Sequence, residues 1–105
     1  MDSKQRELME FLKRRVFDPV MRADESGRSD AEKRKLQDVK DATRSEIDRY
    51  EHYDSAQELV VNFKRDLSSD PAEKIHRESR ALGLPTLPDV RDEFEKKARD
   101  LGLNA

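Results

Sequence analysis

Two histidines stand near carboxylates at helical spacing, and these are the residues best suited to chemistry. Glu73 and His76 match the Glu-x-x-His spacing that places two metal ligands on one face of a helix. Asp48 and His52, four residues apart, form a second pair. A di-iron bundle needs a second Glu-x-x-His and further carboxylates. Metal binding is therefore the third of three hypotheses, the sequence leaves open whether His52 or His76 binds a metal, and no cofactor is expected.

Residue types that serve as enzymatic nucleophiles are scarce. The chain of 105 residues contains no cysteine and two histidines. It has neither a Gly-rich phosphate loop nor the strand-to-helix serine turn of the hydrolases. Carboxylates are plentiful, but none is marked as buried by its sequence neighbours. We therefore predict a protein that is not an enzyme and has no catalytic residue.

The charge balance bears on the class of partner. The chain carries 22 Lys and Arg against 24 Asp and Glu, for a net charge of −2. Charges of both signs are interspersed, which is typical of solvated helix surfaces. Neither half of the chain is strongly basic, so the footprint of a protein that binds phosphate backbones is missing.

The second hypothesis is a nucleic-acid-binding regulator built on a helix-turn-helix-like C-terminal pair. Residues 79–84 would end the positioning helix, and residues 88–101 would form the recognition helix. Three of the first five residues after Pro88 are acidic, namely Asp89, Asp92 and Glu93. These carboxylates would face phosphates across a major groove, so nucleic acid is the less favoured partner.

The apolar residues repeat every three or four positions, which predicts an all-α fold. We expect one domain over residues 1–105, an irregular bundle of four or five helices with one long central helix. The stripe of that central helix runs from Leu36 to Leu67. Unbroken, residues 30–68 would form a rod of about 58 Å. Ser55 and Glu58 have the spacing of a capping box, so the sequence leaves open whether the helix breaks near Asp54–Ser55.

Capping signals mark the other boundaries. Ser29 with Glu32 is the capping box expected to start the central helix. Asp18–Pro19 is expected to interrupt the first helix, with a short turn or kinked extension beyond it. Three further starts are Asp2, with Gln5 as its reciprocal partner; Asp70, with Pro71 as the first helical residue; and Thr86, with Asp89 three residues on.

The motif Leu-Gly-Leu occurs twice and predicts two helix ends. Gly83 and Gly102 are expected at positive φ, with Leu84 and Leu103 packed back on their helices. Residues 70–103 would then be a C-terminal helix pair. Residues 24–30 are polar and contain Gly27, so they are predicted to form a mobile loop.

The first hypothesis is a non-enzymatic protein–protein interaction or regulatory domain that self-associates. The apolar stripe of the long helix is longer than a thin bundle can cover, and tyrosines suit interfaces. The candidate interface is Tyr50, Tyr53, Val60 and Phe63, in a homodimer or with an unknown protein partner. No apolar run is long enough for a membrane span, and the N-terminus lacks the apolar region of a secretory signal. We therefore expect a cytoplasmic protein.

Overall fold

The computed structural model describes residues 2–105, and the predicted all-α fold with a long central helix is confirmed. Among these residues there is no β-strand. The elements are α1 (Ser3–Leu12), a π-helical turn (Lys13–Phe17), α2 (Asp18–Met21), α3 (Asp30–Glu51), α4 (Ala56–Asp66), α5 (Asp70–Ala81), a 3₁₀ turn (Leu87–Val90) and α6 (Arg91–Asp100). No helix within residues 2–105 combines the length and the apolar character needed to cross a membrane.

Asp18–Pro19 kinks the first helix without ending it. The N–H of Asp18 donates to the carbonyl of Lys13, five residues back, which is the π-helical pattern. Pro19 follows in α2, and because the helix runs on from the π-helical turn, its missing N–H leaves one position of the hydrogen-bond ladder without a donor. The kinked extension is the outcome, and it carries Val20 into the core.

The long apolar stripe is divided between two helices, which answers the question of the break. Ser55 caps α4, since its Oγ accepts from the N–H of Glu58 at 3.1 Å. The carboxylate of Glu58 accepts from the N–H of Asp54 at 2.9 Å, one residue before the position expected of a capping box. With α3 ending at Glu51, the molecule measures 45 × 22 × 20 Å, shorter than the rod of about 58 Å that an unbroken helix would form.

Both Leu-Gly-Leu motifs end helices as predicted. Gly83 has φ 75° and Gly102 has φ 83°. The N–H of Leu84 donates to the carbonyl of Ser79, and that of Gly83 to the carbonyl of Arg80. This is the hydrogen-bond pair of a Schellman cap, and the same pair recurs around Gly102. Leu84 and Leu103 pack against the core as expected.

Among the remaining predicted caps, two are confirmed and two need correction. Ser29 and Glu32 form the expected box. The N–H of Thr86 donates to Asp89 at 2.9 Å, which caps the 3₁₀ turn that runs into α6. Asp2 does accept from the N–H of Gln5, but the predicted reciprocal bond is wrong. The buried side chain of Gln5 donates instead to the carbonyl of Tyr53. α5 begins one residue early, with Ser69 as its N-cap and Pro71 as its second residue.

The loop at residues 24–30 is tied by several hydrogen bonds. Asp24 accepts from the N–H of Ser26 at 3.0 Å, and Gly27 has φ 77°. Arg28 donates to the carbonyl of Leu82 at 3.3 Å, so the loop contacts the end of α5. The mobility of the loop stays a prediction.

The core consists of two clusters. The larger cluster joins α1, the π-helical turn, α4 and α6, with Tyr50 of α3, and it contains the aromatic residues Phe11, Phe17, Phe63 and Phe94. Phe63 stacks on Phe94 with ring centroids 3.9 Å apart. The smaller cluster contains Val20, Leu36, Val39 and Leu82, and it lies between the start of α3 and the end of α5. The region between them at the middle of α3 and α5 contains polar side chains, among them Thr43, Glu46 and His76.

Candidate functional site

An open cleft lies where the second half of α3 meets the end of α4 and the start of α5. Its volume is about 380 Å³. Its apolar lining residues are Ala42, Pro71, Ala72 and Ile75, and its polar ones are Ser45, Glu46, Arg49, Arg65, Asp66 and Ser69. Apolar surface combined with a few convergent polar groups is typical of a binding site.

A buried hydrogen-bond network fixes one wall of this cleft. The hydroxyl of Tyr50 donates to Asp66 Oδ2 at 2.6 Å, and Arg49 Nη2 donates to the same oxygen at 3.3 Å. Tyr50 is fully buried, and the side chain of Asp66 is 9% exposed. Burial, followed by the charge of Asp66, raises the pKa of Tyr50. The phenol therefore stays a hydrogen-bond donor, which holds the Asp66 carboxylate in place.

Glu46 lies beside this network, partly buried. Burial, and then the negative charge of Asp66, raises its pKa to about 7, while Arg49 acts in the opposite direction. Among the groups that line the cleft, the carboxyl group of Glu46 is therefore the one that we expect to change its charge near neutral pH. A carboxyl group with a strongly shifted pKa in a cleft is a recognised signal of a functional site.

Glu46 also lines a small cavity of about 20 Å³, and His76 forms part of the same lining. His76 is 6% exposed, and its Nε2 has no hydrogen-bond partner among the described protein atoms. Burial, followed by the charge of Arg80, lowers the pKa of His76. The polar neighbours across the cavity are Thr43, Ser79 and Thr86. His76 is therefore held in its neutral form at the centre of the α3–α5 contact.

The two pairs considered as metal ligands have different surroundings. Glu73 is exposed while His76 is buried, so the Glu-x-x-His pair does not share one surface. His52 is exposed, and its Nδ1 lies 2.7 Å from the carbonyl oxygen of Asp48. That contact, followed by the Asp48 carboxylate, raises the pKa of His52. Across residues 2–105, no three or more His, Cys, Asp or Glu side chains are grouped so that they could hold a metal ion.

Three of the four candidate interface residues lie inside the chain's own core. Tyr50, Val60 and Phe63 are fully buried, because the break after α3 folds the apolar stripe back onto α1 and α6. Tyr53 is partly buried, and its ring centroid lies 5.4 Å from that of Tyr50. The exposed stripe assumed from the sequence is therefore absent from the described fold, and self-association through these side chains would require the core to open.

The α5–α6 pair places its acidic residues as the sequence suggested. Asp89, Asp92 and Glu93 are exposed at the start of the second helix. Glu93 is paired with Arg15, and Arg80 lies 3.8 Å from Asp89. Arginines thus lie beside two of these three carboxylates, and the end that would enter a major groove carries no excess of positive charge. Nucleic-acid binding stays a prediction that no feature of this pair favours.

Neither Glu46 nor Asp66 was predicted from the sequence, because the residues next to each carboxylate in the chain do not mark it as buried. A usable signal was present. Asp66 lies three residues after Phe63, and Glu46 lies four residues before Tyr50, so both share helical faces with apolar residues.

Comparison of the chain with known protein families, curated proteins and solved structures finds no match. The site must therefore be interpreted from its own residues.

Proposed function

We propose that the protein is a non-enzymatic, cytoplasmic interaction or regulatory domain that binds another protein through the cleft between α3, α4 and α5. The observation that carries the proposal is the combination found there. Ala42, Ala72 and Ile75 offer an apolar floor, and Arg49 and Arg65 stand at its side. This composition resembles a small protein–protein contact, in which an apolar centre is surrounded by a polar rim and arginine is enriched.

The partner that fits the cleft is a protein segment with an apolar side chain and carbonyl or carboxylate oxygens beside it. The apolar side chain would contact Ala72 and Ile75. Arg65, which is exposed, would donate to the oxygens. Arg49 already donates to Asp66, so we assign it the role of keeping the wall of the cleft in place.

The test is capture of partners by the wild-type chain and by two variants, in each of which one alanine of α5 is replaced by arginine. Ala72 lines the cleft, whereas Ala81 is exposed nine residues later, on the opposite side of the same helix. We expect Ala72→Arg to lose the proteins that the wild-type chain captures and Ala81→Arg to keep them, with both variants retaining the helical circular dichroism of the wild type. Capture of the same proteins by Ala72→Arg would refute the cleft as the binding surface.

Self-association forms part of the proposal, but its surface differs from the one predicted from the sequence. Val61 on α4 is the exposed large hydrophobic residue of the described chain, at 50% exposure. A contact centred on Val61 leaves the core closed.

A further inference from the structure

α5 buries less apolar surface than α4. The buried side chains within α5 are His76 and Ser79, both polar, and its apolar contacts come from the partly buried Ile75 and from Leu82 and Leu84 at its end. In contrast, α4 buries Leu59, Val60 and Phe63. Its main contact is with α3. Elements with few buried apolar contacts open at a low free-energy cost, so the docking of α5 is sensitive to a change of charge at this contact.

Glu46 occupies the place where α5 meets α3. It lines the cleft together with Ile75, and together with His76 it also lines the small cavity. Within residues 2–105 its carboxyl group has neither a hydrogen bond nor an ion pair to a protein group, and Glu46 is only partly buried. Glu46 therefore lies at the α3–α5 contact without a bonded protein partner that would compensate its charge.

The charged groups around Glu46 come from every neighbouring element. Arg49 and Tyr50 lie on α3, and both are hydrogen-bonded to Asp66 of α4. Arg65 lies on the α4 side of the same cleft. From α5, His76 borders the shared cavity. The fixed negative charge of Asp66 thus opposes ionisation of Glu46, and the guanidinium on its own helix is already engaged.

We propose that the carboxyl group of Glu46 is a proton-controlled latch, which keeps α5 docked on α3 while it is protonated and loosens α5 when it ionises. The latch rests on the proposed function in one respect, since it would regulate the cleft assigned there as the binding surface. Ionisation would widen that cleft by letting Ala72 and Ile75 move away from α3.

The direction of the pH effect follows from the two proton equilibria. Burial and Asp66 raise the pKa of Glu46 to about 7 in the docked form. Undocking of α5 restores water around the carboxyl group but leaves Asp66 of α4 in place, so the pKa falls only part of the way towards 4.5. The docked form therefore holds more protons, and docking weakens as the pH rises through about 7. His76 acts in the opposite direction. Burial and then the charge of Arg80 lower the pKa of His76, although Asp66, Asp89 and Glu73 act to raise it. Docking therefore weakens as the pH falls below 6.5.

Backbone amide exchange of α5, measured against α4 at about pH 6 and about pH 8 and corrected for intrinsic chemistry, separates the two groups. Glu46 should make α5 open more at the higher pH, by at most about tenfold, and His76 acts in the opposite direction by up to about fourfold. In Glu46→Gln the contribution of Glu46 is lost, so α5 should open less at about pH 8 than at about pH 6. The ratio of opening at the higher pH to opening at the lower pH should therefore be higher in the wild type than in Glu46→Gln. The control Asp38→Asn, an exposed carboxylate on α3, should keep the wild-type response.

The same ratio of opening at the two pH values in the wild type and in Glu46→Gln would overturn the latch. A second measurement needs no variant: the side-chain carboxyl ¹³C signal of Glu46 should titrate with a midpoint near 7, and a midpoint near 4.5 would overturn it too. Both measurements use the chain without a partner. If Ala72→Arg still captures the same proteins, the proposed function is refuted, and the results of these two measurements are unaffected.

Discussion

The hydroxyl groups of the two neighbouring tyrosines have opposite surroundings. That of Tyr50 donates to the buried Asp66, whereas that of Tyr53 is buried with no partner among the described protein atoms. Tyr50→Phe should lower the free energy of unfolding by about 1–3 kcal/mol, because it leaves a buried acceptor short of a donor. Tyr53→Phe is the matched control and should leave it unchanged or raise it, because it removes a buried hydroxyl group that has no partner among the described protein atoms. Urea unfolding measures both, and equal losses would contradict the assigned network.

Ionisation of Glu46 should also change the free energy of unfolding of the whole chain. Its pKa of about 7 in the fold against 4.5 when free means that the folded state gains stability from its proton at low pH and loses it as the pH rises towards 7. Glu46→Gln should therefore be more stable than the wild type at pH 8, by on the order of 1–3 kcal/mol after allowance for partial exposure. At about pH 5 the two should differ little.

Urea unfolding at the two pH values gives this comparison, and the contribution of His76 is common to both proteins and cancels. A gain from Glu46→Gln that is the same at both pH values would mean that proton binding at Glu46 is not its cause. Asp38→Asn serves here again as the exposed carboxylate control.

At the scale of single residues, the sequence predicts what depends on near neighbours in the chain. The box of Ser29 and Glu32 and the cap of Thr86 by Asp89 involve residues three positions apart, and both were predicted. The side chain of Gln5 instead reaches Tyr53, 48 residues away. Likewise, the environment of Glu46 depends on α4 and α5, which its local sequence does not specify.

Helix ends show the same locality at the scale of elements. Gly83 and Gly102 were predicted at positive φ, and Gly83 has no atom within 4 Å of where a Cβ would stand. Gly83→Ala should therefore cost about 1 kcal/mol through backbone conformation alone. Gly102→Ala should cost a similar amount, since its Cβ would meet only Lys4 Nζ at 3.8 Å. Thermal or urea unfolding of the two variants checks this, and unchanged stability in Gly83→Ala would argue against a strained αL position.

The break between α3 and α4 decides how the elements assemble. The sequence contained the cap at Ser55 but no glycine or proline, so local signals left both outcomes open. The broken form lets Tyr50 contact Phe17, with ring centroids 5.9 Å apart, and lets Phe63 stack on Phe94. Burial of these aromatic rings within one chain favours the break, and such tertiary contacts lie outside what periodicity can predict.

For the whole molecule, the break changes the expected mode of self-association. An interface built on Tyr50, Val60 and Phe63 would expose a core that one chain already closes. Val61 is a single exposed apolar residue, and single ones are common on protein surfaces. A specific interface needs about 800 Å² from each partner, far more than one valine supplies. We therefore expect weak self-association, with a dissociation constant on the order of 100 μM.

Light scattering from about 10 μM to about 1 mM tests this expectation, since such a constant places the transition within that range. The average mass should be near that of one chain at the lowest concentration and should rise towards twice that value. Val61→Lys should abolish the rise, because it places a charge at the centre of the contact, whereas Tyr53→Ala should leave it unchanged. A dimer already complete at the lowest concentration, or a rise that survives Val61→Lys, would show that the copies associate through another surface.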